Sequence, residues 1–131
     1  GQLRQQLVPV VVQIGADVLE ALARLLQVGA LRQRRHDRAI DVDPEFGNPY
    51  NDIGAYLIEL ERPEDAIPWL ERATTASRYE SYQFPWFNLG RVYEGKELFT
   101  RALECFARAL EYDPEYAPAR KALDAARLKI N

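Results

Sequence analysis

Slid along itself by 36 residues, the sequence matches its own pattern. With "NPYNDIGAYLIELERPEDAIPWLERA" (48–73) laid on "FPWFNLGRVYEGKELFTRALECFARA" (84–109), Tyr50 falls on Trp86, Ile53 on Leu89 and Gly54 on Gly90. Ala66 then falls on Ala102, Leu70 on Phe106 and Ala73 on Ala109. A second echo, "RAIDVDP" (38–44) against "RALEYDP" (108–114), places the end of a further unit just upstream of the Tyr50 unit. A fixed period of this size is the mark of stacked supersecondary units, none of which buries its apolar face alone. Helical periodicity covers nearly the whole chain and alternating β-branched runs are few, so the units are helical and the fold class is all-α.

Punctuation divides the units. Asn48 before Pro49 reads as a cap with proline in the first turn, Arg62 before Pro63 starts the next helix, and Pro85 repeats the position of Pro49. Gly95 is expected to break the chain between the two helices of its unit. Pro68 falls inside a helix and predicts a kink on its outer face. Residues 117–130 supply one amphipathic helix. Upstream, the pattern predicts a helix within 2–13 disturbed by Pro9, one over 16–28 ended by Gly29, and one over 30–42. The stripe Leu19, Leu22, Ala23 and Leu26 is expected to close that end of the stack.

Trp86, Leu89, Gly90, Tyr93, Ala102, Phe106, Ala109 and Pro114 resemble the tetratricopeptide repeat, a 34-residue helical hairpin. The Tyr50 unit resembles it with Tyr50, Ile53, Leu57, Leu70 and Arg78 as substitutions, and its link to the next unit is two residues longer. The resemblance is good over 38–130 and poor over 1–37. It implies a right-handed α-solenoid of antiparallel hairpins with a C-terminal capping helix. As one domain, 1–131 divides into N-terminal helices and a degenerate repeat (1–44), repeats at 47–80 and 83–116, and the cap at 117–130. Gly54 and Gly90 are then expected where partner helices cross, with Ala66 and Ala102 opposite. Trp86 and Tyr93 fill the gaps to either side, and Phe106 enters the junction with the next unit.

Chemistry is sparse in this composition. His36 is the only histidine and has no cysteine or second histidine at metal spacing. The acids Glu61, Glu64, Asp65, Glu111, Asp113 and Glu115 lie at helix ends, and no glycine-rich phosphate loop follows a strand. No catalytic, cofactor-binding or metal residue is expected. Cys105, the only cysteine, reads as a buried apolar residue. The charge of −3 conceals a basic N-terminal part with "LRQRRHDR", which lacks interleaved aromatics and reads as a solvated helix face, with no nucleic acid partner. The most apolar stretch is broken by Pro9, Gln13, Asp17, Glu20 and Arg24, so no membrane span and no signal peptide are expected, and the location is read as cytoplasmic.

The resemblance implies binding by shape, with positions 2, 5, 9 and 12 of each unit facing a concave groove. These are Asn48, Asn51, Ala55 and Ile58 in the first unit and Phe84, Phe87, Arg91 and Glu94 in the second. Asn88 lies beside Arg91, and Lys121 holds the fifth place of the last helix. One branch of the family grips a C-terminal carboxylate, but only Asn88 coincides with that clamp; Asn51, Ala55, Pro118 and Ala122 replace its other members. Arg91 with Asn88 suits an acidic group or a backbone carbonyl; alternatively Arg91 is solvated or pairs with Glu94. The expectation is a non-enzymatic module for a protein or peptide, monomeric or a weak homo-oligomer. The rival is an engineered or chimeric helical-repeat scaffold with no evolved ligand, self-associating through its N-terminal helices; its motives are the lost pattern before residue 38 and the absence of methionine.

Overall fold

The computed structural model describes residues 27, 29–32 and 34–130. The chain divides into two units, Gly1–Arg35 and His36–Asn131. In the first, Gln27 and Gly29 are both helical, so Gly29 does not end a helix there; the expected helix within 2–13, and residues 16–26 and 28 of the one expected over 16–28, lie outside the described residues. The second unit opens on helical residues 36–42 (α1). It continues through α2 (Asn48–Glu59), α3 (Pro63–Thr75), α4 (Gln83–Gly95), α5 (Phe99–Tyr112) and α6 (Ala117–Ile130). Among the described residues there is no strand, only a single parallel bridge between Phe46 and Arg78. Packing runs between neighbours: α2 on α3, α4 on α5, α5 on α6, α3 on α4, and α2 on α4. That is the all-helical stacked-hairpin architecture the 36-residue step predicts.

Both hairpins turn in the same way. Glu61 N–H donates to Ile58 O at 3.0 Å and Arg62 N–H to Leu57 O at 2.8 Å, with Glu61 in the left-handed region at φ 58°. Glu97 to Glu94 and Leu98 to Tyr93 repeat the pattern at 2.9 Å each, with Glu97 at φ 61°. This pair of bonds satisfies the last carbonyls of the first helix and turns the chain straight into the second. Glycine ordinarily holds the left-handed place, and Gly95 was expected to make the break. It is instead the last residue of α4, two places before the left-handed Glu97. Asn48 likewise is the first helical residue, while Gly47 is the cap. Gly47 is glycine for space, since a Cβ there would stand 2.5 Å from the Tyr79 ring.

The helical glycines were expected to meet Ala66 and Ala102, small against small. They meet large residues. A Cβ on Gly54 would lie 2.4 Å from Leu70 Cδ2, and one on Gly90 would lie 2.3 Å from Phe106 Cε1. Leu70 and Phe106 are both 0% exposed, and the absent side chain is the space they fill. Phe106, expected at the junction with the next unit, therefore lies against the first helix of its own hairpin. Ala66 and Ala102 are fully buried in the same core, where Ile53, Leu89, Ala73 and Ala109 join them.

Above each core an arginine covers the aromatic residue at the fourth position. Arg72 sits 5.0 Å from the Tyr50 ring and Arg108 5.2 Å from the Trp86 ring. α3 runs unbroken through the exposed Pro68 to Thr75. α6 buries Ala119, Leu123 and Ala126 and exposes Arg120, Asp124 and Arg127. In α2 and α4 the corresponding positions carry the aromatic, glycine and apolar residues that receive a partner helix, so α6 has the face of a cap.

Candidate interaction surface

Asn51 and Asn88 occupy neighbouring first helices, α2 and α4, and are the only buried polar residues among those described, at 9% and 8% exposure. Asn88 Nδ2 donates to Asn51 Oδ1 at 3.1 Å, and Arg91 Nη1 donates to Asn88 Oδ1 at 3.3 Å. The three form a ladder: a cross-helix amide bond, then a guanidinium held one turn along α4. Buried amides persist where they are paired, and this pairing fixes which way each points. The exposed Arg91 makes no ion pair among the described residues, so of the readings offered for it the pairing with Glu94 is not made; its bond goes to Asn88.

Beside the ladder lies an aromatic set. Phe84, 38% exposed, meets Tyr116 edge to face at 5.5 Å. The half-buried Phe87 meets Tyr116 at 5.4 Å and Phe106 at 5.8 Å. Partial burial raises the Tyr116 pKa, and the positive charge of Arg91 opposes that rise, so Arg91 lies within electrostatic reach of the ring set as well as on the ladder. Sequence reasoning missed Tyr116. Its signal was present, because "DPEFG" at 43–47 and "DPEYA" at 113–117 align Phe46 with Tyr116.

Two clefts open in the same unit. One of about 600 Å³ is lined by Asp43, Phe46, Asn48, Tyr79 and the polar run Ser77 to Ser81. Another of about 560 Å³ lies at the hairpin-turn end, lined by Ile58, Glu61, Pro63, Arg91, Val92, Gly95 and Lys96. Lys96 is engaged there by Glu64 at 2.6 Å. The expected groove residues thus divide: Asn51, Asn88 and Arg91 are joined by hydrogen bonds, and Phe84 and Phe87 by a shared ring partner. Asn48 and Ile58 line separate clefts, Ala55 is half-buried on α2, and no hydrogen bond or ion pair ties Glu94 or Lys121 to the set.

The loop before α2 is held differently. Glu45 accepts from Arg72 at 2.8 Å and from the Ser77 hydroxyl at 2.9 Å, and its carboxyl is held below the usual range by Ser77 first and Arg72 second. Tyr50 and Arg72 both donate to Pro44 O, at 2.8 and 2.9 Å, and Arg78 pairs with Asp43. His36 Nδ1 lies 4.0 Å from Asp52. Burial pushes the Cys105 thiol up to about 11. Among the described residues no three His, Cys, Asp or Glu side chains group to hold a metal, and no helix is long and apolar enough to cross a membrane.

Residues 84–116 match the family model described as Tetratricopeptide repeat. The chain is also similar to the "Tetratricopeptide repeat domain-containing protein PYG7, chloroplastic" of Arabidopsis thaliana, 28% identical over 88 residues. That alignment covers 67% of this chain, which spans 29% of the relative's length. The resemblance read from Trp86, Gly90 and Phe106 stands on both.

Proposed function

We propose that this tetratricopeptide-like stack works by binding and not by catalysis, holding a segment of a partner protein along the faces of α2, α4 and α6. The buried Asn51–Asn88–Arg91 ladder carries the reading. Apolar side chains at those positions would seal two helices with no polar cost, whereas paired amides hold a guanidinium at the surface and present polar groups to a peptide backbone. Repeats of this kind mediate protein–protein contact, and stacked hairpins offer their first helices to a ligand. The fold alone names no partner. The division into repeats at 47–80 and 83–116 with a cap at 117–130, and a cytoplasmic setting, belong to the same proposal.

The test is an interaction found with the intact chain and repeated with Phe84→Ala, Asn88→Ala and Arg91→Ala together. Loss of binding with an unchanged helical spectrum supports the groove. Unchanged binding by the triple variant would remove these helix faces from the function.

A further inference from the structure

Arg91 stands at the meeting point of three features: the amide ladder, the aromatic set and the cleft at the hairpin turns. One Nη is fixed by Asn88, and no carboxylate among the described residues forms an ion pair with Arg91. Its cleft is otherwise lined by Ile58, Pro63, Val92, Gly95 and the exposed turn residue Glu61, which makes no ion pair with Arg91, and a Cβ on Gly95 would meet nothing within 4 Å. Lys96, the other cation on that wall, is already taken by Glu64. A held guanidinium above an apolar floor fits a side chain with a methylene stem and an anionic head. Glu94, one turn further along α4, repels a second acid on that side.

Phe84 shares the face of α4 with Arg91, seven residues earlier, which along a helix is about 10 Å. A polyproline II segment, with three residues per turn and a rise of about 3.1 Å each, covers that distance in about three residues and returns side chains three apart to one face. The exposed edge of Phe84, packed on Tyr116, is the apolar contact at the other end of this span. We propose that the segment bound by this surface carries one acidic side chain held by Arg91 and, three residues away in a polyproline II stretch, an aromatic or branched apolar side chain seated on Phe84. This rests on the groove reading above and adds the chemistry of the ligand.

The probe is a displayed library of random linear peptides, selected on the intact chain. The expected enrichment is a Glu or Asp three places from an aromatic or branched apolar residue. A selected peptide is then compared with its acid-to-amide version on the native chain, on R91Q and on R91K. R91Q should weaken the acidic peptide about tenfold, the worth of one charge-assisted hydrogen bond at a half-open site. It should weaken the amide version much less, and R91K should recover part of the loss. The exposed Arg91 makes these variants safe for folding, which an unchanged thermal midpoint checks. Peptides that are lost on Asn88→Ala or Phe84→Ala but carry no acid, or bind R91Q as well as the native chain, overturn this inference and leave the groove standing. Peptides indifferent to all of these substitutions, or no binders at all, count against the groove itself and this inference with it.

Discussion

The hairpin of α2 and α3 and the hairpin of α4 and α5 close on the same turn, set an arginine over the same aromatic position and seat a glycine against the same bulky residue. They differ at their edges. In the first, the aromatic residue is Tyr50, whose hydroxyl reaches Pro44 O while Arg72 clamps Glu45, so the preceding loop is locked by polar contacts. In the second, Trp86 has a buried Nε1–H with no acceptor among the described residues, and Arg108 turns to Glu111 on its own helix at 2.8 Å. The following loop instead returns Tyr116 onto Phe84 and Phe87. Packing inside a hairpin is one solution used twice, because overlap of a few tenths of an ångström is felt in a dense core. At the edges the constraint is weaker, and one unit has a polar lock where the other has an aromatic surface.

The likeness of the interiors is tested first, by the largest effects. Phe106→Ala should cost about 3–5 kcal/mol and Leu70→Ala about 2–5 kcal/mol in denaturant unfolding, since both side chains are fully buried. The glycines should then separate the two hairpins. Gly90→Ala drives a methyl into an aromatic ring and should cost about 1–3 kcal/mol from overpacking, despite the roughly 1 kcal/mol that alanine gains in a helix. Gly54→Ala meets Leu70 Cδ2 at 2.4 Å and Cγ at 2.5 Å, so the whole side chain must shift at χ1. That is easier for a branched aliphatic chain than for a ring, and this substitution should cost less. Pairing Gly90→Ala with Phe106→Leu should recover part of the loss. A full cost in that pair would show that Phe106 is not what fills the glycine's place.

The turns give a smaller and opposite effect. Glu61 and Glu97 hold a conformation that glycine adopts freely. Glu61→Gly and Glu97→Gly should each raise stability by about 0.5–1 kcal/mol, the gain from relieved strain exceeding the extra entropy of the unfolded chain. Equal shifts of the thermal midpoint are expected from the two, because the two turns have the same hydrogen bonds. A gain in one only would mean that the hairpins are not closed alike.

The fold was legible because tight packing leaves its mark at a fixed spacing. Gly54 and Gly90, Leu70 and Phe106, and the four buried alanines recur 36 residues apart, and that alone specifies stacked hairpins. Which residue each glycine faces was misread: composition shows that something comes close, not whether it is an alanine or a ring. Left-handed turn residues were hidden for a different reason, since Glu61 and Glu97 are not the residue type such a turn prefers, and Gly95, which is, stands two places before the turn position. Of the surface, Asn88 and Arg91 were readable as neighbours on one helix. Their link to Asn51 was not, because it depends on how two helices cross. Tyr116 sits in a loop, outside any helical period, and only the echo with Phe46 marked it.

The polar lock of the first hairpin has the smallest expected signature and a sign that can be worked out. Hydrogen bonds from Ser77 and then Arg72 hold the Glu45 carboxyl below its ordinary value of 4.5, so the folded chain binds that proton less readily than the unfolded one. A depressed carboxylate contributes stability that is present above the unfolded value and is lost as pH falls through the folded one. Glu45→Gln should therefore lower stability at neutral pH and flatten its decline below about pH 4.5, a difference read from thermal midpoints along a pH series. The control is Glu115→Gln at the equivalent place of the second edge, where the backbone N–H bonds Asp113 at 3.1 Å but no ion pair or hydrogen bond holds the carboxylate among the described residues. Its acid profile should follow the native chain. If the two variants gave the same profile, the lock would be a contact without energetic weight, and the two edges would differ in appearance only.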